Sequence, residues 1–279
     1  MRRPNYIGYN PNKMRDQSTI QQSHDYYKDK TMLYNSYRDR SDNSQDVLPT
    51  FDRTSLVAYW PFIDNLNDYG PNGFHWTLST VGIQGGHKPL FLPAMRNKAL
   101  YFENNWWTIP TNAAWRFGTG NFTLMFWHHV NDVEAWSTSA GSPTHGLINM
   151  RTNDADTGWE FYSNGGIKGK MTFRMQNLDL SSATNVSSNK WEHWAIVRYG
   201  TGANQTYMWR DGVFESYRAY ATNMQSTAYL CLGRSQTYGQ HNRNSSIQHF
   251  MAFSTALDQK QISLIINQTS DKNIDTSEM

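Results

Sequence analysis

One cysteine, Cys231, stands in 279 residues, so no disulfide can form within the chain and its order must come from packing. No apolar run approaches the roughly 20 residues that a membrane-crossing helix needs. An excess of one charge is missing as well. Lys and Arg number 25 against 23 Asp and Glu, a formal net charge of +2 without a long basic run. The electrostatic footprint of a phosphate-binding protein is therefore absent, and no nucleic-acid partner is expected. The opening MRRPNYIGYN lacks the apolar core and small-residue cleavage site of a secretory signal, which predicts folding in a reducing cytoplasm. No Walker-type loop and no G-x-S-x-G elbow occurs. His128 and His129 are neighbours in a strand-like run and would face opposite ways, and His145, His193 and His249 show no metal-ligand spacing.

What the chain has is rings. Aromatics make up 14% of it, with 11 Trp and 16 Tyr. Each buries a large area, which suits the wide, flat interior of two stacked sheets. The stretch from Trp191 to Phe214, WEHWAIVRYGTGANQTYMWRDGVF, reads as a three-stranded antiparallel meander. Alternation sends Trp191, His193, Ala195, Val197 and Tyr199 one way and Glu192, Trp194, Ile196 and Arg198 the other, and both sets carry apolar bulk, so both faces are expected to be covered. Asp211-Gly212 is the pair that a tight hairpin turn demands, TYMWR is the returning strand, and VFESYRAY follows as a third. Near the C-terminus Asp258 and Gln261 have the N-cap and N3 spacing of a capping box, which predicts a short helix with Leu257, Ile262, Ile265 and Ile266 inward.

Residues 1–50 differ in kind, being rich in Asn, Asp, Arg, Lys, Ser, Gln and Tyr and poor in aliphatics. Alone, such a segment buries too little to offset its ordering entropy. It is expected to be an extended N-terminal arm whose tyrosines, Tyr6, Tyr9, Tyr26, Tyr27, Tyr34 and Tyr37, anchor it on a partner. Residues 47–54 form the junction, and 51–279 form one all-β domain with a polar tail. The longest irregular pieces, 82–89, 137–146 and 235–246, are where specificity is expected on a rigid scaffold.

The strand W-x-H-W-A-I-V-R, its turn, and Y-M-W-R-D-G-V-F resemble the laminin-G-like branch of the concanavalin A-like sandwiches. Five further segments agree in order: LVAYWPF with NDYGPNGFH, ALYFENNWWTIP, FTLMFWHHV, GWEFYS with KMTFRM, and SIQHFMAFSTALDQKQI. The resemblance covers residues 55–266 and implies an antiparallel jelly-roll sandwich filled by rings that include Trp60, Phe102, Phe126, Trp191 and Trp209. It also implies three kinds of site. Jelly-roll glucanases carry E-x-D-x-E or E-x-D-x-x-E on one strand, and a retaining pair sits about 5 to 5.5 Å apart. Here Glu103, Glu134, Glu160, Glu192, Glu215 and Glu278 are scattered singly, so no catalytic residue is expected, and a glycoside hydrolase is the least favoured reading. Calcium at a sandwich edge would use hard oxygens such as those of Asn153, Asp154 and Asp156, although the same residues serve any hairpin loop. No other cofactor is implied. Glycan binding would use ring faces beside amides and charges: Asn104, Asn105, Trp106 and Trp107 form one candidate set, and Tyr238, His241, Asn242 and Arg243 another.

A lone sandwich of this kind on a polar arm resembles the capsid-decoration, head-fibre, tail and fibre proteins of tailed bacteriophages. The resemblance implies a non-catalytic virion component, present in many copies or as a homo-oligomer, docked to other virion proteins through its arm and made in the host cytoplasm. The rival expectation is a lectin-like adhesin that recognises a host-surface glycan.

Overall fold

The computed structural model describes residues 54–78, 88–94, 97–133, 145–163, 169–201, 205–236 and 241–270. Of the two units into which the chain divides, Met1–Thr50 and Phe51–Met279, the second is described below. The tyrosines at 6, 9, 26, 27, 34 and 37, together with Glu134, Tyr238 and Glu278, lie outside the described residues.

Two antiparallel sheets form a sandwich. The larger holds eight strands: β1 (Leu56–Trp60), β3 (Leu90–Pro93), β4 (Lys98–Glu103), β6 (Phe122–Val130), β11 (Lys190–Arg198), β12 (Thr206–Arg210), β13 (Val213–Arg218) and β15 (Arg243–Phe253). Its order is β13-β12-β11-β6-β15-β4-β3, with β1 also on β15. The smaller sheet is β10-β9-β8-β7-β14-β5-β2, built from β2 (Thr77–Leu78), β5 (Trp107–Ile109), β7 (Gly146–Met150), β8 (Trp159–Ser163), β9 (Met171–Met175), β10 (Leu178–Ser181) and β14 (Leu230–Leu232). The meander predicted from Trp191 onward is β11-β12-β13. Its turn residues Asp211 and Gly212 have φ of 52° and 77°, the double left-handed pair of a type I′ turn, which glycine adopts without a Cβ penalty.

The rings meet between the sheets. Trp60 stacks on Trp115 at 5.5 Å and on Phe250 at 5.1 Å. Phe126 of the large sheet meets Phe161 of the small one edge to face at 4.9 Å. Trp60, Phe102 and Phe126 are core residues as expected, whereas Trp191 and Trp209 are not. Alternation explains the correction. Trp194 and Ile196 occupy the inner face of β11 and Met208 that of β12, so Trp191 and Trp209 must point outward. There Trp191 lies beside His129, with ring centres 5.3 Å apart.

The outer face of the large sheet is covered by the helix α1 (Gln259–Thr269), whose capping box pairs Asp258 with Gln261. Ile262, Ile265 and Ile266 are buried, as is Leu257 before the helix. Trp127 Nε1 of β6 donates to Thr269 Oγ1 at 2.8 Å, and Gln259 Nε2 donates to the Gly212 carbonyl at 3.1 Å. Arg198, fully buried at the end of β11, donates to the carbonyls of Gly118, Gly200, Tyr220 and Thr222. It clamps the chain that leaves β13 to the sandwich.

Candidate functional site

Beside the helix, whose Gln259 reaches the Gly212 turn, the outer face of the β12-β13 edge carries a patch of rings. In β12, Met208 faces inward, so Tyr207 and Trp209 face out. A register shift between Met208 and Trp209 leaves Glu215 as the extra residue of β13 and brings Phe214 opposite Trp209 and Tyr217 opposite Tyr207. Tyr199, just past β11, completes the group. Ring centres are 5.8 Å apart for Tyr199 and Tyr207, 6.3 Å for Tyr207 and Tyr217, 5.9 Å for Trp209 and Phe214, and 6.1 Å for Phe214 and Tyr217. Phe214 is 45% and Tyr217 52% exposed. Tyr199, Gln205, Tyr207 and Trp209 line a depression of about 340 Å³. The Tyr199 hydroxyl donates to the Leu257 carbonyl at 3.3 Å, and its pKa is raised by burial, then by the charge of Asp258 and by Tyr207. It is a fixed neutral phenol. Sequence reasoning placed Trp209 in the core and missed this platform. The available signal was the period-two reading of Y-M-W, which puts Tyr207 and Trp209 on the face opposite the apolar Met208.

The described members of the two glycan candidate sets, proposed separately, come together where β4 and β15 pair. Arg243 of β15 stands opposite Glu103 of β4, and the Asn104 amide donates to the Asn242 carbonyl at 3.1 Å. The His241 ring bonds the Asn104 backbone and meets Trp106 edge-on at 6.4 Å. Neither Trp is a stacking surface, however. Trp107 is fully buried in the core, and Trp106 is 5% exposed beneath the Arg234 guanidinium, whose carbon sits 4.7 Å from the ring centre. In β5 Trp107 and Ile109 both take inward positions, while Trp106, just before the strand, is capped by a cation. Asn104 and Arg243 remain exposed, His241 is half-buried, and Asn105 and Asn242 are buried.

The outer face of the small sheet carries a polar row across five strands. Cys231, Asn149, Glu160, Arg174 and Asp179 are successive partners in β14, β7, β8, β9 and β10. Asn149, Glu160 and Cys231 are fully buried, as is the neighbouring Arg151, whose Nη1 lies 3.8 Å from Glu160 Oε2. Burial raises the Glu160 pKa against the lowering pull of Ser235, Arg151 and Asn149, and burial also raises the Cys231 thiol. Burial raises Asp179 too, but Arg174, which pairs with it through Nε and through Nη2 at 2.8 Å, outweighs that and holds it low. Glu192, the other buried glutamate, belongs to the large sheet, where Arg210 lies 3.3 Å from it. Among the described residues, no two glutamates form the pair that glycoside hydrolysis requires on one strand face.

The calcium candidates are occupied by their own loop. Asn153 Oδ1 accepts from the Ala155 amide, Asp154 Oδ1 from Arg151 Nη2, and Asp156 from the Thr152 and Gly158 amides and the Thr152 hydroxyl. Among the described residues no three His, Cys, Asp or Glu side chains converge to hold a metal. His128 and His129 face opposite ways, the first against Phe126 and the second against Trp191.

Two antiparallel sheets, a ring-filled interior and a helix over one outer face give the described residues the architecture of a lectin-like sandwich. The chain belongs to the concanavalin A-like lectin/glucanases superfamily, whose Laminin_G_3 model matches residues 103–263. The solved structures it resembles include the binding domain of Paraclostridial Mosquitocidal Protein 1, with 16% identity, a TM-score of 0.58, and coverage of 77% of this chain and 52% of that one. The botulinum neurotoxin serotype D/C binding domain gives 14% identity and a TM-score of 0.59, covering 78% and 53%. Domain 4 of the arabinanase AbnA from Geobacillus stearothermophilus, solved in complex with arabinotriose, gives 13% identity and a TM-score of 0.56, covering 76% and 98%. At these identities the likeness is one of fold. The chain spans about half the length of the two toxin binding domains. No curated protein sequence matches it.

Proposed function

We propose that this protein is a non-catalytic, lectin-like recognition module that holds a neutral saccharide face against the ring platform of Tyr199, Tyr207, Trp209, Phe214 and Tyr217. One observation carries the reading: five rings share one exposed face beside a fixed depression. Sugar C–H faces stack on such rings, and the Gln205 amide and tyrosine hydroxyls at the margin suit sugar hydroxyls. The arabinotriose bound to a domain of the same fold supports a saccharide over a protein occupant. The scattered glutamates support binding without hydrolysis. Titration of an oligosaccharide panel that includes arabinotriose tests this. Tyr207→Ala and Phe214→Ala should each weaken the best ligand about tenfold, near 1.4 kcal/mol, with little change in melting temperature. Wild-type affinity in both variants would refute it.

Residues 1–50 favour a second role for the same module, that of a virion component. Six tyrosines in a segment poor in aliphatics suit an attachment arm that orders on a neighbouring protein. Removing residues 1–46 should leave the sandwich folded and unable to join its assembly. Normal incorporation of the truncated protein would end this reading.

A further inference from the structure

We propose that the rim beside Trp106 is an oxyanion site, in which Arg234 and Arg243 take the carboxylate or sulfate group of an acidic saccharide. The site is separate from the ring platform: β12 and β13 lie at one edge of the large sheet, and β15 and β4 toward the other. It goes beyond the module reading, which concerns neutral sugar faces.

Its construction begins with Gly233. The φ there is +85°, and a Cβ would stand 2.6 Å from the Asn105 carbonyl oxygen and 2.9 Å from the Phe102 ring. Only glycine lets the backbone come this near, and the approach delivers Arg234 onto the face of Trp106 at 4.7 Å. Arg234 then bridges to His241. The His241 carbonyl bonds His145 Nδ1 at 2.8 Å, and Arg243 follows two residues later on the same side of the chain. Four groups that are or become cationic therefore share one rim. Each histidine feels a different arginine: after burial, Arg234 depresses His241 and Arg243 depresses His145.

Nothing among the described residues balances them by an ion pair. Neither guanidinium has a carboxylate within salt-bridge reach, and Arg234 Nε is buried without a hydrogen-bond partner. Glu103 faces Arg243 in register but is exposed and makes no ion pair. A guanidinium laid on an indole has already lost water from one face, and its planar fork matches two oxygens of a carboxylate or sulfate. Trp106 serves as the shelf that fixes this fork, not as a sugar-stacking surface.

NMR titration of the full chain with glucuronic acid, glucose 6-sulfate, glucose and inorganic sulfate, followed at the Trp106 indole N–H, tests the proposal. The two acidic sugars should shift this resonance, with affinity that falls as salt rises, and glucose should not. Arg243→Gln, at an exposed position, should weaken them at least tenfold with an unchanged melting temperature, and Arg234→Lys, which keeps the charge but loses the fork, should weaken them several-fold. Trp209→Ala should leave them untouched, which separates this site from the platform. Equal binding of glucose and glucuronic acid, wild-type affinity in Arg243→Gln, or inorganic sulfate bound as tightly as the sugars would each overturn it.

Discussion

The outward faces of the two sheets are opposites. On the small sheet, the face turned from the core carries Asn149, Arg151, Glu160, Tyr162 and Thr172, all buried. On the large sheet, the face beyond α1 carries Tyr199, Phe214 and Tyr217, all more than 40% exposed. Polar groups are covered and rings stand in water, the reverse of the usual partition. The difference shows where each face makes its contacts. The polar row makes its contacts sideways, among buried neighbours such as Asn149, Glu160 and Arg151, so substitution there is expected to act on folding. The rings touch one another but leave area open, so substitution there is expected to cost little stability and, on the proposed function, to act on binding.

The sharpest break in this comparison is Arg151→Ala. It leaves Glu160 buried without its nearest cation, and such one-sided removal costs about 3–5 kcal/mol. Urea unfolding should show this loss, with part of it recovered in the Arg151→Ala/Glu160→Gln double variant. Phe214→Ala on the ring face should cost less than about 1 kcal/mol. Equal losses at the two positions would show that the ring face is structural after all.

A pH series sharpens the contrast from inside the large sheet. His128, opposite Glu192 in β11 and beside His129, is fully buried, and burial, followed by the charge of His129, lowers its pKa to about 3. The unfolded chain takes this proton first. Its contribution to stability is therefore complete above an unfolded pKa of about 6.5 and is lost as pH falls from there toward 3, by at most roughly 1.4 kcal/mol per unit. Glu160 and Glu192 are raised, chiefly by burial, so their contribution runs the other way and declines as pH climbs past the unfolded value. His128→Phe should flatten the acid limb between about pH 6.5 and 4.5. An unchanged limb would assign acid sensitivity to other groups.

Much of the fold was legible because it rests on short-range rules. The alternation in WEHWAIVR, the Asp211-Gly212 turn and the Asp258/Gln261 cap each need only a few residues of context, and all three stand as predicted. The sites were less legible because they depend on register between distant strands. Nothing local in NNWW says that Arg234, more than 120 residues on, will cap Trp106. Asn104 and His241 were chosen from separate segments, and only the pairing of β15 with β4 joins them. Trp209 was misplaced because the family resemblance put it among the filling rings, whereas its face is decided by Met208 beside it.

The smallest expected effect concerns calcium at the loop that borders the polar row. Calcium takes six to eight oxygens and prefers anionic ones. In this loop Asp156 already accepts three bonds, and Asp154 lies 2.9 Å from the Arg151 guanidinium and 3.6 Å from that of Arg174. An arriving divalent cation would have to break these bonds and sit against two arginines. Millimolar calcium should therefore move the melting temperature by less than about 1 °C, since a ligand stabilises only in proportion to its binding of the folded state. Asp156→Ala, which removes the three loop bonds, should lower the melting temperature by the same amount with calcium as with a chelator. A calcium-dependent rise in the wild type that vanishes in Asp156→Ala would instead make this loop a metal site, and the polar face would then be open to a ligand as the ring face is.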